Sequence, residues 1–240
     1  MSYPLYILFG VLPSVIWLFF YLRRDVHPEP KSEVLKIFFY GALITIPAFF
    51  LEKGVFTVTA SPLFSDFLKP ALITILNIFL GVALIEEVLK YLVVREKVLK
   101  SPEFDEPIDA MLYMIIAALG FAALENVLIL FQLGPEFLVK EAVAISIFRF
   151  VGATFLHTLC SGTVGFFLAL SFFEAKKRFW LLFTGFGISS LLHGLYNFSI
   201  MKMEGNLKAL IPIIILIGLA IFVSFSSKRL KKMKSICKIN

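Results

Sequence analysis

The twenty residues from Ile75 to Val94, "ILNIFLGVALIEEVLKYLVV", decide how this chain is read. Their length and apolar content suit a helix crossing the hydrocarbon of a bilayer, which takes roughly 20 such residues. Yet Glu86, Glu87 and Lys90 fall inside the run. A charged side chain at the centre of a spanning helix costs about 2.5 to 3.5 kcal/mol on the insertion scale, so three of them need partners or water. The rest of the chain removes the alternative of a soluble amphipathic helix. It is 59% hydrophobic and 17% charged, with mean hydropathy +0.91 over 240 residues, far more apolar than a water-soluble domain of this size. The chain reads as an integral membrane protein, and the charges as the lining of something inside it.

Working outward, six further runs of similar length appear. The seven predicted spans cover residues 3 to 22, 34 to 51, 70 to 94, 109 to 133, 142 to 172, 179 to 201 and 207 to 226. The fold class expected is therefore all-α, a polytopic bundle of about seven transmembrane helices. No repeat or soluble domain interrupts it, so residues 1 to 240 read as one domain. The first run lacks a basic leader and a small-residue cleavage site and reads as a retained anchor. The fifth is too long for one perpendicular span, which predicts tilt, a kink near Gly152, or extension past the bilayer.

Alternating spans put sixteen of the 23 Lys and Arg residues on one side and five on the other, with Lys90 and Arg149 inside spans. Cytoplasmic loops retain basic residues, so the N-terminus is expected outside and the tail "KRLKKMKSICKIN" in the cytoplasm. Topology and anionic lipid account for the net charge of +6, and nucleic-acid binding is not expected. Cys160 in an apolar run and Cys237 in the tail form no disulfide framework.

Nine polar side chains within spans three to six form a constellation. Glu86 and Lys90 are four residues apart and Glu87 and Lys90 three, so the lysine can pair with either carboxylate. Glu125 and Asn126 lie in span four. Arg149 and His157 share a stripe of span five with Ser161, and His193 and Asn197 lie on one stripe of span six. Each element alone reads equally well as a structural ion pair or a core hydrogen bond; together they point to a polar site among spans three to six. A glutamate near two histidines can deprotonate a water and pass the proton to a leaving amine, which is peptide hydrolysis. His157, His193 and Glu125 would also supply the His₂Glu ligands of a hydrolytic zinc site. The same groups could relay protons in a transporter or channel, although the paired broken helices of transporters are not evident. Cys160 and the serines near the histidines suggest nucleophiles, but no orienting pair or nucleophile elbow accompanies them.

At these residues the chain resembles the PrsW family of bacterial intramembrane proteases. The resemblance rests on "EEVLK" (86 to 90), "FDEPIDAMLY" (104 to 113), "LGFAALEN" (119 to 126), the arginine and histidine of "FRFVGATFLHTLCSG" (148 to 162) and "HGLYNF" (193 to 198). These blocks run in order across about half the chain. Asn197 stands where the family often has Asp, and Ala110 where it often has Gly. The resemblance implies a membrane metalloprotease in a bacterial cell membrane that makes the first cut in a single-span substrate, such as an anti-sigma factor. It implies Glu86, Glu87, Glu125, His157 and His193 as the active-site set, with the catalytic core at about residues 70 to 201. More distant similarity to CAAX prenyl and bacteriocin-immunity proteases leaves a metal-free, glutamate-activated water open. On that reading Glu86 or Glu87 is the general base, Asn126 and Asn197 complete the site, and Lys90 and Arg149 balance its charge.

Overall fold

A chain surrounded by hydrocarbon must satisfy its backbone internally, and long apolar runs do so as helices. The computed structural model describes residues 3–24, 27–101, 104–134 and 138–233, and among these it contains helices and no strand. Cys237 lies outside the described residues, as do Pro102 and Glu103 of the connection between spans three and four. The helices are α1 (Tyr3–Leu22), α2 (Lys31–Leu43), α3 (Thr45–Thr59), the short α4 (Pro62–Ser65), α5 (Pro70–Leu76), α6 (Ile85–Lys97), α7 (Pro107–Gln132), α8 (Val139–Val151), α9 (Ala153–Phe173), α10 (Arg178–Lys202) and α11 (Leu207–Leu230). Seven stretches of the described chain are long and apolar enough to cross a membrane, with α2–α3, α5–α6 and α8–α9 each forming one.

The helix α7 is the axis of the bundle. In its most apolar window 72% of residues are buried, against 28 to 33% in the other spans, because α7 is apolar on every side and can be enclosed on every side. Two glycines let α2 lie against it backbone to backbone. A Cβ on Gly120 would strike the Phe38 carbonyl, and one on Gly41 the Ala117 carbonyl. Of the other glycines in the polar spans, Gly194 packs on the Phe79 ring, whereas Gly187 faces open space.

Two breaks and one extension shape the bundle. The fifth span kinks at Gly152, where φ −101° and ψ −98° leave the helical region and α8 gives way to α9. A Cβ there would meet the Tyr196 hydroxyl and the Phe148 carbonyl. Between α5 and α6 the helix widens to a π-helix over Asn77–Leu84, a geometry frequent at functional sites. Glu86 and Glu87 follow at once. The second span extends beyond its expected end: charges at Glu52 and Lys53 looked like the edge of the membrane, but nothing breaks the helix there and α3 runs on to Thr59, short of Pro62. Glu52 is thereby carried inside the bundle.

At one end of the bundle, Lys97 lies over the Tyr40 ring, Arg178 over Phe172 and Arg229 over Phe166. There the backbone N–H groups of Asp105 and Glu106 donate to Asp109, closing the start of α7. We refer to this as the basic end.

Candidate active site

Of the residues singled out, Glu86, Glu87, Lys90, Glu125, Arg149, His157 and His193, from α6, α7, α8, α9 and α10, meet in one cluster. The π-helical turn directly precedes Glu86 and Glu87, and the Gly152 kink lies between Arg149 and His157. Lys90, fully buried, is the hub. Its ammonium donates to Glu86 Oε2 at 3.1 Å, to Glu87 Oε1 at 2.9 Å and to His157 Nδ1 at 2.8 Å. An ammonium only donates, so His157 Nδ1 accepts and its Nε2 carries the proton. That Nε2 donates to Glu125 Oε2 at 3.0 Å, and Arg149 holds the same oxygen at 2.7 Å. The Phe121 ring closes the cluster beneath the ammonium, 4.4 Å away.

The two neighbouring glutamates stand in different surroundings. Glu87 is enclosed: it accepts from Lys90 and, at 2.6 Å, from the Ser161 hydroxyl, and its Oε1 lies 3.3 Å from His193 Nδ1. Glu86 turns its Oε2 to both histidines, 3.5 Å from His157 Nδ1 and 3.9 Å from His193 Nε2. It also lines a cavity of about 300 Å³ with Thr45, Phe49 and Glu52 of α3 and Phe121, Glu125 and Gln132 of α7. Both lining sets repeat at helical spacing, so the cavity is a chamber rising between α3 and α7 from Glu86 toward the end away from the basic residues.

Whether a metal fits can be judged from these groups. One ligand atom each from Glu86, His157 and His193 lies within 4.8 Å of the others. Two imidazoles and a carboxylate are the donor set of many hydrolytic zinc sites. Each histidine shows one nitrogen to Glu86 and the other to a second carboxylate, Glu125 for His157 and Glu87 for His193, the outer pairing that orients metal-bound imidazoles. His193 Nδ1 is buried without an aligned hydrogen bond, as expected of a ring placed for another purpose. The residues fit zinc, with Lys90 as the competing cation: a metal ion must displace its ammonium from Glu86 and His157, while Glu87 can keep it. The expected ligand set contained Glu125; the geometry groups Glu86 with the histidines instead and sets Glu125 against the far nitrogen of His157.

The remaining residues divide between scaffold and rim. Asn126 is buried behind the site, donating to Gly10 O at 3.2 Å and Thr154 Oγ1 at 3.1 Å and accepting from Arg149 Nε. It ties α1, α7, α8 and α9 together. Asn197, half-buried one turn beyond His193, joins none of the site's hydrogen bonds. Glu52 escaped sequence reasoning, because a span ended at its first charge excludes it. A helical projection running past that charge puts Glu52 seven residues from Thr45, on the same face.

The description of the matching protein family, over residues 29–225, is PrsW family intramembrane metalloprotease. A protein named Protease PrsW from Geobacillus kaustophilus is 34% identical over 196 residues, covering 81% of this chain and 79% of that one. Its namesake from Bacillus subtilis is 29% identical over 234 residues, 95% and 94% of the two chains. That from Clostridioides difficile is 27% identical over 197 residues, 81% and 78%. No solved structure matches. With its charges gathered inside a multi-pass helical bundle and this likeness running along most of its length, the chain belongs to the PrsW family of intramembrane metalloproteases.

Proposed function

We propose that the chain cuts a single-span membrane protein within the bilayer, with Glu86, His157 and His193 at the point of hydrolysis. The observation that carries this reading is the chamber, which gives access to Glu86 where it faces both imidazoles. Glu86 Oε2 is turned to the histidines, leaving Oε1 for a water, and the carboxylate takes the proton as that water attacks the scissile carbonyl. The proton then passes to the leaving amine. Glu87, Lys90 and Ser161 hold His193 and the back of the site in place; Glu125 and Arg149 do the same for His157. With zinc bound, Glu86, His157 and His193 would hold the ion as ligands, and the ion in place of a free Glu86 carboxylate would lower the pKa of the attacking water.

The substrate proposed is an anti-sigma factor, and the cut the first in its destruction. We place the chain in the bacterial cytoplasmic membrane, N-terminus outside and C-terminus in the cytoplasm, with the basic end inward. In that orientation Glu86 is ~17 Å along α6 from Lys97 at the cytoplasmic end, and the chamber rises toward the outer half of the bilayer. The catalytic core is then residues 70 to 201 together with α3, in one domain spanning residues 1 to 240.

Cleavage of a panel of single-span anti-sigma factors by the purified, reconstituted chain tests this. Wild type should cut at least one and a folded Glu86→Gln variant none; no cleavage by wild type across the panel sinks the reading. Elemental analysis of the same preparations should find one zinc per chain, lost in His193→Ala.

A further inference from the structure

On the other side of the bundle a second cavity, of about 470 Å³, lies between α1, α7, α9 and α11. Each wall is one helical stripe: Trp17, Phe20 and Tyr21 on α1 with Arg24 just past its end, Ile108 to Ile115 on α7, Phe155 and Leu159 on α9, and Ala220 to Lys228 on α11 with Lys231 at its C-terminal cap. The groove is separate from the active site. Phe155 and Leu159 lie two residues either side of His157, ~160° around the helix from it, so nothing held there reaches Glu86.

Its polarity runs in one direction. The deep part is apolar, walled by Trp17, Met111, Ile115 and Leu159, with Trp17 stacked on Phe155 at 4.3 Å. The mouth carries Arg24, Lys228 and Lys231, joined by Ser224 and Ser227, and the described lining residues include no carboxylate. Lys231 donates to the Arg24 carbonyl, drawing α1 and α11 together there, and the Arg24 guanidinium rests 4.1 Å above the Phe20 ring. None of the three cations forms an ion pair among the described residues. The stripe from Ala220 to Lys231 is ~17 Å long, close to the ~15 Å of one hydrocarbon leaflet.

We propose that this groove is a binding site for an anionic phospholipid, its phosphate held by Arg24, Lys228 and Lys231 and an acyl chain running between Trp17, Ile115 and Leu159. Charge complementarity selects that occupant. A substrate helix, ~10–12 Å across, has no acidic requirement to match three cations, and from here its peptide bonds lie behind α9.

Native mass spectrometry of the full chain in mild detergent, with phosphatidylglycerol and phosphatidylcholine in competition, tests the site. One phosphatidylglycerol should stay bound in preference to phosphatidylcholine. The triple variant Arg24→Gln, Lys228→Gln, Lys231→Gln should bind phosphatidylglycerol roughly 100-fold more weakly, following the contribution of each basic residue near an anionic surface, with unchanged helicity by circular dichroism. Ser224→Trp, which fills the groove from its exposed rim with the cations intact, should reduce retention of both lipids. Equal retention of the two lipids by wild type, or unchanged preference in the triple variant, overturns the proposal. So does displacement of the lipid by millimolar inorganic phosphate, which means an anion site without a chain slot. Cross-linking of a photoreactive group at Ser224 to a polypeptide in native membranes assigns the groove to a partner helix and overturns it as well.

Discussion

Glu86 and Glu87 are adjacent, identical side chains on one helix, yet they belong to two different regions of the molecule. A residue's advance of ~100° around α6 turns Glu86 to the chamber and Glu87 to the sealed rear wall. Behind, every charge is matched: Glu87 takes two donors, and Lys90 gives three. In front, Glu86 takes Lys90 alone and Glu125 takes both of its donors on Oε2, and the two share with Glu52 a chamber that has no cation among its described lining residues. The contrast teaches that at a buried polar site role follows reach. A carboxylate saturated by fixed donors is scaffold, while one facing a cavity can exchange partners with water and substrate.

The sharpest way to break this contrast is to neutralise each glutamate in turn. Glu86→Gln should lower kcat by about 10³-fold, within the range for loss of a general base, and lower the unfolding midpoint less than Glu87→Gln does, because Lys90 keeps its closer partner Glu87. Glu87→Gln should cost only about 10- to 100-fold, as for residues that orient ligands, and should lower stability because Lys90 loses its closest carboxylate. Equal kinetic losses with equal midpoints would remove the distinction between the two regions.

Lys90 joins those regions, so its loss should be felt next most strongly. Lys90→Met leaves Glu87 buried without its cation, and breaking a buried pair from one side costs about 3 to 5 kcal/mol. Denaturant unfolding in micelles should show that loss, and adding Glu87→Gln should recover most of it. Failure of the second substitution to rescue would mean that Lys90 is held chiefly by Glu86 and His157, placing its balance in front and not behind.

Glu125 sharpens the comparison from the chamber side, since one carboxylate both lines the cavity and props His157. Glu125→Gln keeps the volume and weakens the pull on the His157 N–H. Zinc affinity should fall by about 10- to 100-fold, measured by competition with a chelating dye. Unchanged affinity would reassign Glu125 from positioning His157 to substrate contact.

How much of this could be read from the sequence divides along physical lines. The spans were legible because hydropathy is summed over twenty residues and tolerates local error; that the fifth could not be a plain span was legible because a run of 31 residues overshoots the bilayer, but length alone did not choose the kink at Gly152 over tilt or extension. Glu86, Glu87, Lys90, His157 and His193 stood out because charge and imidazole are expensive in hydrocarbon. Three things stayed hidden. The π-helical turn over Asn77–Leu84 has no marking residue, being a matter of hydrogen-bond register. Which of Glu86 and Glu87 faces the chamber depends on that register. Glu52 was lost at a boundary, because charge marks the edge of a membrane and the lining of a cavity equally well.

Glu52 gives the smallest expected effect and the most selective test of the chamber. It sits on α3, across the cavity from Glu125, and touches neither histidine. On the proposed reading, a carboxylate so placed meets the substrate on its way to Glu86 without taking part in the exchange of protons there. Glu52→Gln should therefore raise KM by about 5-fold, the worth of roughly one hydrogen bond, with kcat unchanged, the pattern of an interaction made equally in ground and transition states. Steady-state cleavage in proteoliposomes separates the two constants. A fall in kcat at constant KM would bring Glu52 into the chemistry and make the chamber wall part of the catalytic machinery, so that the boundary between reachable and saturated carboxylates would include α3 as well as α6.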